Sequence, residues 1–180
     1  MSNALDLIKE RRTVRKFTDA PVPEDTVTAL LEAVQWAQSW ANTQCWEIVV
    51  IRDASIRQAL QGTVPPGNPS HEAIVSAPVL LAVCAQREKS GYYKGTTPTK
   101  FGDWFMFDLG IVTQNIALAA WDMGLGSVVV GLFDQDAAAK VLRVPENTEL
   151  VTLMPMGFRA ETPQAPKRRA VQEFTHSDSF

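Results

Sequence analysis

The spacing of apolar residues predicts one domain in which a β-sheet is flanked by helices, a description that doubly wound α/β and α+β folds both satisfy. Three observations carry it. At 180 residues and 46% hydrophobic, the chain is long enough to bury one substantial core. Trp46 to Ile51 and Val79 to Ala85 are short runs of β-branched, aromatic and aliphatic residues, as buried strands require. Val27, Leu30, Leu31, Val34 and Ala37 recur at helical spacing, and Phe101 to Met123 is apolar on most of its circumference, so helices must cover the sheet.

Each element follows from a local signal. A first helix is expected from about Ala4 to Arg11, capped by Ser2 or Asn3, with Leu5 and Ile8 facing a core. Pro21 and Pro23 precede the helix that carries Val27 to Ala37. Asp53 caps a helix that stops at Gly62, and Thr63 to Ser70, with three prolines and a glycine, is a loop. Gln86 to Lys100 lacks periodicity and reads as a second, longer loop. Phe101 to Met123 is the central buried helix, ended by Gly124 and Gly126. Ser127 to Val130 is a short strand, Asp134 or Asp136 caps a helix through Leu142, and Leu150 to Met156 is the last strand. The domain spans residues 1–158, and 159–180 is a tail too poor in apolar residues to form a core.

Composition narrows the function classes. Net charge is about -3, with 17 basic and 20 acidic residues, which disfavours general attraction to nucleic acid or to an anionic membrane. Cys45 and Cys84 stand far apart, in no zinc or disulfide pattern, and a cytoplasmic setting fits them. No signal-peptide core or membrane-spanning run is legible. His71 and His176 have no carboxylate spacing that suggests a metal or a triad, and neither GxGxxG nor a P-loop occurs. Hydrolase, metalloenzyme and Rossmann readings therefore lack their parts.

What remains is distributed. Arg11, Arg12, Arg15 and Lys16 crowd four cations around Thr13, a group suited to a phosphate or to a solvated helix end. Lys167, Arg168 and Arg169 form a second basic group. Ser39, Asn42 and Gln44 offer hydroxyl and amide groups of the kind that read a heteroaromatic edge, or simply make a turn. The glycines from Gly124 to Gly131 permit close approach to a flat ligand or serve as caps. Trp40 and Trp104 are the tryptophans best placed to stack on a ring, and Cys45, with no histidine or cation adjacent, reads as a packed thiol.

Taken in order, these segments resemble the FMN-dependent nitroreductase family across nearly the whole chain. Arg11-Arg12-Thr13-Val14-Arg15-Lys16-Phe17 is similar to its R-R-S-x-R-x-F motif, and Ser39 to Trp46 to its P-S-x-x-N-x-Q-P-W motif. Gln114-Asn115, Gly124 to Gly131, and Met156 to Phe158 followed by Lys167 to Arg169 resemble its later segments. Gln38 and Cys45 replace the motif prolines, and Thr13 replaces serine while keeping the hydroxyl.

The resemblance implies an α+β fold with a central mixed sheet, in an intertwined homodimer with exchanged tails. It implies FMN as cofactor and NADH or NADPH as donor, with a nitroaromatic, quinone or similar oxidant reduced in a ping-pong scheme that needs no side-chain nucleophile. Arg11, Thr13, Lys167 and Arg169 would hold the phosphate and Arg15 the ribityl and pyrimidine side, with Arg12 also counted among the cofactor-binding residues. Ser39, Asn42 and Gln44 belong to the cofactor site, Ser39 and Asn42 coming from the partner subunit. Val130 and Gly131 would lie along the ring, with Trp40 and Trp104 at the substrate pocket. The same scaffold is compatible with flavin reduction, dehalogenation or ene-type reduction, and with a flavin-storage or redox-sensing protein.

Overall fold

The structure is a computed structural model and describes residues 3–180. Four strands, β1 (Trp46–Ile51), β2 (Val79–Gln86), β3 (Leu125–Ser127) and β4 (Thr148–Phe158), form one sheet in the order β1-β2-β4-β3. Six helices surround it: α1 (Ala4–Glu10), α2 (Glu24–Gln35), α3 (Ala54–Gln61), α4 (His71–Ser76), α5 (Phe105–Asp122) and α6 (Gln135–Leu142). All three ladders are antiparallel, and the sheet is mixed only through a parallel bridge between Thr13 and Ser127. Helices and antiparallel strands are thus combined as α+β, and the doubly wound alternative, which needs parallel strands, is absent.

The sheet is covered on both faces. Val79, Leu81, Val83 and Ala85 of β2 point into one core with Val27, Leu30 and Val34 of α2 and Leu109, Val112 and Ile116 of α5. Leu80, Ala82 and Cys84 point the opposite way, onto Leu60 of α3, Ile74 of α4 and Ala138 of α6. A strand buried on both faces needs no polar alternation, which is why β2 is a continuous apolar run. Each Val or Leu so enclosed contributes about 1.5–3 kcal/mol.

The N-terminal segment closes the sheet edge beyond β3. Val14 N–H donates to Ser127 O at 3.0 Å, Thr18 N–H to Phe158 O at 2.9 Å, and Ala160 N–H to Lys16 O at 3.1 Å. Gly126 makes this possible, because a Cβ there would lie 2.6 Å from Val14 Cβ. Along the extended segment side chains alternate: Val14 is fully buried, and its neighbours point outward.

The cap of α1 is Asn3, one of the two residues expected, whose side chain accepts from Leu5 N–H; Ser2 lies outside the described residues. Three expectations are corrected. Leu5 and Ile8 are 60% and 52% exposed, because α1 packs beside α5 without entering either core. α5 starts at Phe105, since Gly102 takes φ 68° and breaks the turn that Phe101 would open. β3 spans Leu125–Ser127, and Val130 forms only an isolated bridge to Leu153.

Candidate functional site

The alternation of the N-terminal segment sorts the basic cluster. Arg11, Thr13 and Arg15, two residues apart, share one face and line a recess of about 260 Å³ with Thr113, Gln114 and Ala117 of α5 and Ser127 to Val129. Arg11 Nε is buried there without a hydrogen-bond partner. Arg57 Nε and Thr43 Oγ1 are buried in the same way elsewhere, so what marks this recess is its lining, two guanidinium groups with the Thr13, Thr113 and Ser127 hydroxyls, a set of donors suited to an anion. Arg15 Nε donates to the buried Ser70 Oγ at 3.0 Å, which fixes that side chain at the rim. Arg12 faces the other way: its guanidinium donates to Lys9 O at 2.6 Å and Arg11 O at 2.9 Å and caps α1. Of the cofactor-binding candidates in this segment, Arg12 alone does not line the recess.

Thr113 and Val129 also line a second recess of about 490 Å³, mostly apolar, with Phe105, Leu109 and Gly110 of α5, Gly131, and Leu150 to Thr152 of β4. A charged recess therefore lies beside an apolar one, the two sharing Thr113 and Val129. Gly131 and Val129 line the apolar recess, whereas Val130 between them is buried in the core.

The amide group occupies a separate place. Ser39, Asn42 and Gln44 line a hollow of about 510 Å³ with Gln35, Trp36, Ala37 and Gln38. No residue is shared with the arginine recess. Ala41, Asn42 and Gln44 all have positive φ, 46°, 56° and 48°, a clustered strain that a plain connection has no need of. The loop is held from outside itself: Asp108, fully buried on α5, accepts from Trp40 N–H at 3.0 Å, from Ser90 Oγ at 2.6 Å and from Cys45 Sγ at 3.6 Å. Burial first, and then the charge of Asp108, push the Cys45 thiol up to about 12, so it stays protonated.

A sequence model of the Nitroreductase family matches residues 8–158, both recesses and the amide loop included. The chain belongs to the nitroreductase family. Among its relatives, the NADPH-flavin oxidoreductase of Vibrio harveyi is 27% identical over 185 residues, covering 100% of this chain and 75% of that protein. The oxygen-insensitive NADPH nitroreductase of Salmonella typhimurium is 24% identical over 186 residues, covering 100% and 75%. Among solved structures, a nitroreductase family protein of Clostridium difficile 630 superposes with a TM-score of 0.84 at 24% identity, covering 99% of this chain and 100% of the other.

Within this nitroreductase-family chain, not every expected residue converges. Lys167 and Arg169 lie on the exposed tail, where Arg169 pairs with Glu173 at 3.5 Å and sits over the Phe174 ring, apart from Arg11. Trp104 lines an apolar hollow with Phe101 and Phe107, and Trp40, anchored by Asp108, lines none of the hollows described here. Among the described residues, no group of His, Cys, Asp and Glu could hold a metal, and no helix is long and apolar enough to cross a membrane. Sequence reasoning passed over Thr113, Ser127, Val129 and Asp108; the one signal for the last was a carboxylate inside an otherwise apolar helix.

Proposed function

We propose that the protein is an FMN-dependent oxidoreductase that takes reducing equivalents from NADH or NADPH and passes them to a small acceptor such as a nitroaromatic or quinone. The reading is carried by Arg11, Thr13 and Arg15 lining one recess that adjoins an apolar one across Thr113 and Val129. A phosphate at the charged end with a ring at the apolar end matches that sequence of surfaces. The names of relatives, NADPH-flavin oxidoreductase among them, point the same way.

Bound FMN would supply the acceptance and release of hydride, and the chain supplies binding and orientation. Arg11 and Thr13 would hold the phosphate through charge-assisted hydrogen bonds. Arg15, braced by Ser70, places a fixed positive charge that favours electron gain by a nearby ring. Leu109, Val129 and Leu150 would give the ring an apolar wall to lie against. The protonated Cys45 takes no nucleophilic part.

The site is completed by a second copy of the chain. Ser39, Asn42 and Gln44 sit in a hollow apart from the arginines, so a partner's amide loop would close over them. Lys167 and Arg169 would arrive on the partner's tail, whose exposed Val171 and Phe174 lack any core of their own. Exposed Leu5, Ile8, Met106 and Phe107, on the adjoining α1 and α5, supply an apolar face for dimerisation.

An anaerobic absorption titration tests the function: the purified protein is yellow, and NADH or NADPH bleaches it stoichiometrically. A yellow protein that neither donor bleaches would refute turnover, and one that cannot be loaded with FMN would refute the site. Mixing Arg15→Ala and Asn42→Ala chains restores a fraction of active sites if each spans two subunits. Absence of recovery at every mixing ratio refutes the shared geometry.

A further inference from the structure

The segment between β2 and α5 is a closed Ω-loop. A Cβ on Gly91 (φ +83°) would lie 2.5 Å from Gly102 O, so the two ends meet only because residue 91 lacks a side chain. The neck is pinned by Trp104 N–H donating to Ser90 O at 3.0 Å and by the Ser90 hydroxyl donating to Asp108. Inside the loop the Trp104 indole N–H donates to Thr99 Oγ1 at 2.8 Å. At the tip, Tyr93 and Thr96 pair across Lys94 and Gly95, which have φ of 49° and 77°. Such two-residue turns ordinarily take Asn, Asp or Gly first, so a lysine held there is strained.

Charge on this loop is unevenly placed. Glu88 and Asp103 sit at its neck, where Glu88 N–H donates to Asp103 Oδ2 at 2.8 Å, and the body between them carries Lys89, Lys94 and Lys100, in a chain of net charge about -3. Lys89, Lys94 and Lys100 take part in none of the ion pairs among the described residues. Lys94 Nζ lies 5.4 Å over the Tyr93 ring and Lys100 Nζ 4.9 Å over the Phe101 ring, and those rings are 61% and 68% exposed. Lys89 Nζ reaches Gln44 O at 3.4 Å, which sets the loop against the amide hollow.

We propose that this loop selects NADPH over NADH by binding the ribose 2′-phosphate, an inference that rests on the nicotinamide-dependent reading above. An adenosine phosphate is a flat ring beside a multiply charged anion, and the loop twice presents an exposed aromatic ring beside a free ammonium. With the nicotinamide at the flavin, the adenosine end of the dinucleotide extends outward past Gln44 and onto Lys89 and the loop tip. The carboxylates are confined to the neck, so the body of the loop presents only cations, one of them held in a left-handed turn.

The test compares the FMN-loaded wild type with a K89Q/K94Q/K100Q variant. In the wild type, KM for NADPH is lower than for NADH and rises with ionic strength. In the variant, KM for NADPH rises roughly tenfold with kcat maintained, and KM for NADH moves less than about threefold, the pattern expected when partly solvated cation–phosphate contacts are lost. Equilibrium dialysis with adenosine 2′,5′-bisphosphate gives a readout independent of turnover: it binds the wild type, AMP binds more weakly, and the variant loses that difference. A wild type that favours NADH, or a variant that keeps the same NADPH preference and bisphosphate binding, overturns the proposal. Failure to load FMN would instead strike the general reading, while dialysis still decides the role of the lysines.

Discussion

Removing the Asp108 carboxylate should loosen the amide loop and the Ω-loop together. The side chain is fully buried, and its donors come from Trp40, Ser90 and Cys45, none of them on α5. Asp108→Ala strands the Trp40 N–H and the Ser90 hydroxyl, at about 1–3 kcal/mol each. Relief of a desolvated carboxylate offsets part of this, leaving a net loss on the order of 3 kcal/mol. With an m-value of about 2 kcal/mol/M, the urea midpoint should fall by roughly 1.5 M. Asp108→Asn keeps one acceptor oxygen and should cost about 1 kcal/mol. The assay is equilibrium unfolding followed by tryptophan fluorescence at fixed protein concentration, with FMN content measured on the same preparations. An Asp108→Ala midpoint within about 0.3 M of wild type, at unchanged m, would refute the reasoning.

Three more outcomes follow from the same geometry. Gly126→Ala places a Cβ 2.6 Å from Val14 Cβ, so it should cost about 1–3 kcal/mol and lower FMN retention by pushing the arginine segment outward; an unchanged Tm and flavin content would contradict this. Arg12→Ala should leave flavin content intact at a cost of about 0.5–1.5 kcal/mol, whereas Arg11→Ala should release FMN, and a reversed pattern would swap their roles. Burial pushes the Cys45 and Cys84 thiols up to about 12 from 9.0, so their stabilising contribution is full below pH 9 and is lost as pH rises from 9 toward 12. The loss runs at up to about 1.4 kcal/mol per pH unit for each cysteine, and a Cys45→Ala/Cys84→Ala variant should show a shallower alkaline fall in urea midpoint.

Elements built from one continuous stretch were legible in the sequence. β1 falls on Trp46–Ile51 as read, and Asp53 and Asp134 cap α3 and α6 through their own side chains. α4 escaped because His71–Ser76 is six residues, too short to show a period. The motif residues Arg11, Thr13 and Arg15 could be named from sequence, but that Arg12 faces away from their recess depends on the extended backbone that turns alternate side chains apart. Asp108 could be seen only as an interruption, because Trp40, Cys45 and Ser90 approach it through tertiary structure alone.

The segment that carries Arg11 to Arg15 is hydrogen-bonded to Ser127 and, through Thr18, to Phe158. During synthesis the arginines leave the ribosome early and have no surface to lie on until the last strand has emerged. Contacts of such long sequence separation form late, after the loop-closure entropy has been met. The arginine recess is therefore among the last features of the chain to take shape, and a nascent protein stalled before β4 would carry Arg11, Thr13 and Arg15 without the surface that gathers them.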